Sequence, residues 1–339
     1  MRGTGLFDLQ INGYAGVDFN SSALTSDALD HALRAMLATG VTACLPTLIT
    51  APDDVLAARF AALDHAVAHS RLGPIMVPGY HLEGPFLNPT PGYAGCHPSA
   101  SMVAPDPALV RQLGEGLTHP ILLLTLAPER DGALALIEWA RGQGMLVAMG
   151  HTAADAACVT NAAGAGVTLS THLGNALPQP QPKFLNPLMA QLAEDRLHAS
   201  FIADGIHIPP GALKVLLRAK GLERSILVTD ATAAAAAPPG IYNFAGMAIE
   251  HAPDGSVREP GSPGLAGSAL CLDQAVRNIV AWGFAPPKVA IRLASTRPAA
   301  LMAPILAHHG IHLPYSEVDW SADLRPSKIS VAGMTIFPD

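Results

Sequence analysis

Tyr80-His81-Leu82-Glu83-Gly84-Pro85-Phe86 ends a short apolar run with a histidine, a carboxylate and two residues that constrain the backbone. The same arrangement recurs downstream. Val147-Ala148-Met149-Gly150-His151-Thr152 closes a run at His151, Leu169-Ser170-Thr171-His172-Leu173 another at His172, and Ile226-Leu227-Val228-Thr229-Asp230 a later one at Asp230. Each run thus delivers one metal-capable or proton-carrying side chain at its C-terminal tip. In a barrel of parallel strands such tips converge on one face, where these folds do chemistry. The pattern points to a metal-dependent hydrolase.

Outward from these tips, strand-like and helix-like runs alternate. Strands are expected at Leu6–Asn12, Val41–Leu45, Ile75–His81, Ile121–Leu126, Met145–Met149, Val167–Ser170, His198–Ala203 and Ile226–Thr229. Helices are expected at Asp27–Thr39, Asp53–His69, Pro107–Leu113, Gly132–Arg141, Ala153–Ala163, Pro187–Glu194 and Gly211–Ala219. Eight strands with helices between them imply a parallel sheet closed into a (β/α)₈ TIM-type barrel over residues 1–305. Residues 238–266 read as an inserted β hairpin, with Asp254-Gly255 as its turn. Helix resumes at Leu270–Trp282 and Pro287–Leu293, and residues 306–339 form a short, weakly strand-like extension packing beside the barrel.

The bulk numbers agree with one large α/β unit. Of 339 residues 50% are apolar and 14% charged, so a sizeable core is available and disorder is not indicated. Aromatics at 5% leave that core to Ala, Leu, Val and Ile. A net charge of −7 without a basic stripe argues against nucleic-acid binding. No long apolar run suggests a membrane span, and the N-terminus lacks the apolar stretch of a signal peptide. Cys44, Cys96, Cys158 and Cys271 form no Cys-x-x-Cys pair, so a cytoplasmic, reduced protein is expected. Cys96-His97 could pass for a nucleophile and base, but sequence neighbours rarely face each other usefully.

A catalytic zinc site takes three ligands from histidine and carboxylate and leaves a position for water. Glu83, His151 and His172 fit that count; the plain alternative is three strand-end caps. Asp230 can carry a proton from water to a leaving amine, or merely cap the turn that follows it. His97 could assist developing oxyanion charge and His207 could contact substrate, though either could be an ordinary loop histidine. Gln10 and Asn12 stand at the first strand end, where barrel hydrolases often place two histidines for a second metal. Amides ligate zinc poorly, which argues for one metal.

Several segments together resemble the amidohydrolase superfamily, and within it the N-acetylglucosamine-6-phosphate deacetylases. They are Asp8-Leu-Gln-Ile-Asn-Gly13, Gly16-Val-Asp-Phe19, His81-Leu-Glu-Gly-Pro85, Gly95-Cys-His-Pro98, Thr125-Leu-Ala-Pro-Glu129 and Gly150-His-Thr152. Further along are Thr171-His-Leu-Gly-Asn-Ala176, Ala203-Asp-Gly-Ile-His207, Leu227-Val-Thr-Asp-Ala231, Leu265-Ala-Gly-Ser268 and Ala294-Ser-Thr-Arg-Pro-Ala299. The resemblance implies Glu83, His151 and His172 as ligands of a single zinc, Asp230 as catalytic acid/base and His97 on the acetyl carbonyl. It further implies Asn175, Ala176 and His207 on the distal sugar phosphate, Gln10 and Asn12 as a vestigial second-metal position, and a homodimer.

Three departures stand out. The family's small β domain is reduced or missing, Gly174 replaces an aromatic, and the family's phosphate-binding arginine falls on Phe184, with Lys183 beside it as a substitute cation. The expected activity is removal of the N-acetyl group from an amino sugar, foremost N-acetylglucosamine 6-phosphate. Amide hydrolysis of a non-phosphorylated N-acyl or cyclic substrate, and a non-catalytic barrel serving as scaffold or binding protein, are the alternatives.

Overall fold

The computed structural model describes residues 1–338; Asp339, last residue of the expected extension, lies outside them. Eight strands form one parallel sheet in sequential order: β1 (Leu6–Ile11), β2 (Val41–Ile49), β3 (Tyr80–Glu83), β4 (Ile121–Leu126), β5 (Leu146–Met149), β6 (Val167–Ser170), β7 (His198–Ile202) and β8 (Ser225–Val228). The sheet closes on itself beyond the tip of β8. Asp230 N donates to Gln10 O at 2.9 Å, Asn12 N to Ala231 O at 2.7 Å, and Thr229 Oγ1 to the buried Asp8 Oδ2 at 2.6 Å. Nearly every strand residue is buried, as expected for strands covered by helices outside and packed side chains within.

Several helices begin where the chain supplies a capping side chain. Thr25 accepts from Ala28 N ahead of α1 (Ser26–Ala38), Asp106 from Ala108 N ahead of α3 (Pro107–Gly114), and Asp155 from Cys158 N ahead of α5 (Ala156–Ala165). Helices α2 (Asp53–His69), α4 (Ala133–Gly142), α6 (Pro187–Ala193), α7 (Pro210–Lys220), α8 (Leu272–Ala281) and α9 (Pro287–Leu293) continue the outer ring. Pro107, Pro187, Pro210 and Pro287 stand in first turns, where the missing N–H has no helical partner to lose.

The structure differs from the sequence expectation in four places. Ile75 and Met76 belong to a helical turn, Gly73–Met76, started by Pro74, so β3 begins only at Tyr80. Strand β2 runs on through Pro46 to Ile49, because the pairing with β1 shifts register beside that proline and leaves no ladder N–H missing. Residues 238–266 hold three antiparallel strands, Gly240–Phe244, Met247–His251 and Val257–Arg258, with Asp254-Gly255 turning between the last two. An unanticipated helix α10 (Thr296–His308) carries Pro304 in its interior, and the boundary drawn at residue 305 falls inside it.

The small β layer is reduced, not missing. Arg2–Gly3, Ser316–Trp320, Pro326–Val331 and Met334–Ile336 form a four-stranded antiparallel sheet. Val318, Trp320, Ile329 and Val331 are buried against the N-terminal end of the barrel. The stretch Pro287–His308 has the length and mean hydropathy, 1.2, to cross a membrane. Here it is divided between α9 and α10, which pack on the barrel wall beside β8 and β1.

Candidate active site

The polar residues at the strand tips meet at one end of a cavity of about 580 Å³ in the C-terminal mouth of the barrel. Glu83 ends β3, His172 follows β6 by two residues, and His151 and Asp230 each follow their strands by two. His151, His172 and Asp230 hold φ of +53°, +31° and +50°, the left-handed region that costs a non-glycine residue energy. Strain of this kind at three strand tips turns the side chains off the strand direction toward a shared point.

That point is the buried Glu83 carboxylate. His172 Nε2 lies 3.0 Å and His151 Nε2 3.5 Å from Oε1, while His97 Nε2 lies 3.7 Å from Oε2. Gln10 Nε2 donates to Glu83 Oε1 at 3.0 Å and to Asp230 Oδ1 at 3.2 Å, and Asn12 Nδ2 donates to the same Asp230 oxygen at 2.7 Å. Burial pushes the Glu83 carboxyl up, but its contacts with His151 and His172 outweigh it and hold the group well below its ordinary value. Asp230 is moved the other way, raised by burial and by the neighbouring Glu83 charge. Burial, then the neighbouring His151, depresses His97 to about 3, so its imidazole is neutral.

The donor set suits a divalent cation. His151 Nδ1 lies 2.8 Å from the Tyr93 carbonyl, which can only accept, so the ring proton sits on Nδ1. His151 Nε2 is left buried with no hydrogen-bond partner, its lone pair facing Glu83. A second-atom hydrogen bond that fixes the tautomer is how metal-binding histidines are held. Gly95, at φ +61°, leaves room for this ring; a Cβ there would sit 3.0 Å from His151 Cε1. Glu83, His97 and His151 each place a ligand atom within 4.8 Å of the others, and His172 joins them through Glu83. The structure thus offers one more imidazole than a three-ligand site needs.

Of the residues expected on substrate, Asn175, Ala176 and His207 line the cavity. Asn175 Nδ2 donates to His172 O at 2.8 Å, and Asp204 Oδ2 lies 2.6 Å from His207 Nδ1. Lys183 does not join them. It is exposed and absent from the lining, in a loop whose neighbours Phe184 and Leu185 are 75% and 88% exposed. Past Leu177 and Gln179 the run Pro180–Asn186 leaves the cavity lining, and Lys183 within it is exposed. Arg258, on the last strand of the insertion, is the one lysine or arginine in the lining among the described residues.

Sequence reasoning missed Arg258, Thr50 and Asp204. Arg258 had a signal, as the lone lysine or arginine of the segment 238–266. Asp204 had one in its i, i+3 spacing to His207. Thr50 sits at a strand tip hidden by the early stop assigned to β2.

No protein-family model matches the chain. It is 35% identical over 296 residues to the N-acetylgalactosamine-6-phosphate deacetylase of Escherichia coli O157:H7, covering 87% of this chain and 76% of that protein. It is 32% identical over 278 residues to the N-acetylglucosamine-6-phosphate deacetylase of Bacillus subtilis (strain 168), covering 81% and 68%. Among solved structures, a variant of the Mycobacterium smegmatis N-acetyl-D-glucosamine-6-phosphate deacetylase, in complex with N-acetyl-D-glucosamine-6-phosphate, superposes with a TM-score of 0.87. That match has 28% identity and covers 98% of this chain and 86% of that one.

Proposed function

The chain belongs to the N-acetylglucosamine-6-phosphate deacetylases of the amidohydrolase superfamily, and from that membership we propose that it hydrolyses the acetamide of N-acetylglucosamine 6-phosphate, giving acetate and the amino sugar phosphate. The relatives' activities and the polar cluster at the cavity floor support this reading. The observation that carries it is the Gln10 bridge, which ties a carboxylate with raised proton affinity to another surrounded by three imidazoles.

Glu83, His151 and His172 hold one divalent cation, zinc in this proposal. Such a cation, when bound, activates water and polarises an acyl oxygen. His97 hydrogen-bonds that oxygen as charge develops. Asp230 takes the proton from the attacking water and delivers it to the sugar nitrogen as the C–N bond breaks, so the amine leaves neutral. Gln10 and Asn12 both donate to Oδ1 of Asp230, which orients the carboxylate and leaves Oδ2 for that proton. Asn175, Ala176 and His207 hold the sugar. The four free cysteines favour a reducing, cytoplasmic location, and the exposed Phe184-Leu185 tip favours a homodimer.

Replacing Asp230 by Asn tests the reading. Metal content should stay at the wild-type level while turnover of N-acetylglucosamine 6-phosphate falls by about 10³-fold or more. Wild-type rates in that variant reject it. A second reading, a non-phosphorylated N-acetyl amino sugar as substrate, draws on Phe184 standing where the family has an arginine; parallel assay of the sugar with and without its phosphate decides between them.

A further inference from the structure

Thr50 follows β2 directly and is buried beside the Glu83 backbone. Its hydroxyl oxygen lies 2.9 Å from His97 Nδ1 and 3.5 Å from the carbonyl oxygen of Glu83. That carbonyl already accepts the Thr50 N–H at 3.1 Å. Gly84, at φ +86°, makes the space; a Cβ at that position would overlap the Thr50 hydroxyl. The small residue after Glu83 and the hydroxyl under His97 are therefore parts of one arrangement.

A neutral imidazole has one N–H, and its placement decides what His97 can do. If Nδ1 held the proton, the ring would donate to Thr50. The hydroxyl would then have only the long 3.5 Å contact to give its own proton to, and the Nε2 lone pair would face the Glu83 Oε2 at 3.7 Å. If Thr50 donates to Nδ1, the short hydrogen bond is used, and Nε2–H points at the carboxylate and the cavity floor. Only the second arrangement gives the hydroxyl proton a short acceptor and faces an N–H, not a lone pair, toward the carboxylate.

We infer that Thr50 is a positioning residue that holds His97 as the Nε2–H tautomer, making His97 a hydrogen-bond donor toward the substrate acyl oxygen and denying it a place among the metal ligands. The role of that donor rests on the deacetylase reading; the tautomer does not. A lone pair on Nε2 would make His97 a fourth ligand, the third imidazole, whereas an N–H there leaves the cation's water position open.

The test uses the zinc-loaded enzyme labelled with ¹⁵N-histidine, with the His97 signals assigned by their loss in His97→Gln. The wild type should show protonation at Nε2, and protonation at Nδ1 overturns the inference. Thr50→Val, of the same shape without the hydroxyl, should lose the single tautomer and lower kcat by about 10- to 100-fold with less change in KM. Thr50→Ser should restore both. Thr50→Val keeping wild-type kcat at full zinc content also overturns the inference, and if that variant does not fold, the wild-type and Thr50→Ser spectra decide. An enzyme that hydrolyses no acetylated amino sugar rejects the deacetylase reading while the spectrum still settles the tautomer.

Discussion

Asp204 Oδ2 lies 2.6 Å from His207 Nδ1, and both side chains are nearly buried, with His207 in the wall of the cavity. Burial pushes the Asp204 carboxyl up, but the His207 contacts and the backbone N–H groups of Ile206 and His207 outweigh it and hold the group ionised below its ordinary value. An acceptor at Nδ1 takes the N–H of the neutral ring and leaves Nε2 as an acceptor for a sugar hydroxyl. Asp204→Ala should therefore raise KM by about tenfold, with a smaller effect on kcat, because the contact lies away from the scissile amide. Steady-state kinetics checks this, and a loss confined to kcat rejects the assignment.

Phosphate recognition turns on which cation meets the substrate. Arg258 lines the cavity and donates one N–H to Pro263 O, leaving the rest of its fork free; Lys183 points away. Arg258→Ala should raise KM for the phosphorylated substrate at least tenfold more than for its dephosphorylated analogue, about 1.4 kcal/mol of discrimination. Lys183→Ala should not alter the ratio of the two. A ratio that falls in Lys183→Ala and holds in Arg258→Ala reverses the assignment.

Stability should carry a pH signature unrelated to the active site. Asp64 on α2 accepts from Tyr80 Oη at 2.7 Å, Thr118 N at 2.8 Å and His119 N at 3.0 Å. Burial raises its pKa, but these hydrogen bonds outweigh burial and leave it depressed. A depressed folded-state pKa gives stability that is complete above the unfolded value of about 3.9 and is lost as pH falls through the folded one. Asp64→Asn should cost about 1–3 kcal/mol at pH 7 and flatten the decline below pH 4. Urea melts of both proteins between pH 3 and 7 measure it; parallel curves refute the assignment.

The catalytic end of the site was legible because its signal is local: a polar residue just past an apolar run marks a strand tip, whatever the distance to its partners. Glu83, His151, His172 and Asp230 were found this way, and the structure brings them together. Failures came where local and tertiary rules diverge. Pro46 reads as a breaker, yet β2 passes through it at a register shift, and this concealed Thr50. Pro298 and Pro304 hid α10, where packing on the barrel outweighs the lost helical bond. Lys183 was placed by standing beside Phe184, where the family has an arginine, and a loop's direction is not written in its composition.

The three imidazoles around the Glu83 carboxylate make the ligand set itself testable. Glu83, His97 and His151 lie in mutual reach, whereas the sequence pattern selects Glu83, His151 and His172. Two contacts favour the latter. His97 Nδ1 is engaged by a hydroxyl that can donate to it, while His151 Nδ1 is engaged by a carbonyl that cannot. Only the carbonyl obliges its histidine to present a lone pair to the cation. His172 Nε2, moreover, approaches Glu83 more closely than His97 does, 3.0 Å against 3.7 Å. Metal analysis of purified variants should find Glu83→Ala, His151→Ala and His172→Ala depleted in zinc and His97→Ala near full occupancy. His97→Ala should still lose about 10²- to 10³-fold in kcat, the usual cost of removing one donor to a developing oxyanion. Depletion in His97→Ala with retention in His172→Ala would exchange the two histidines' roles and leave the acyl oxygen without its proposed donor.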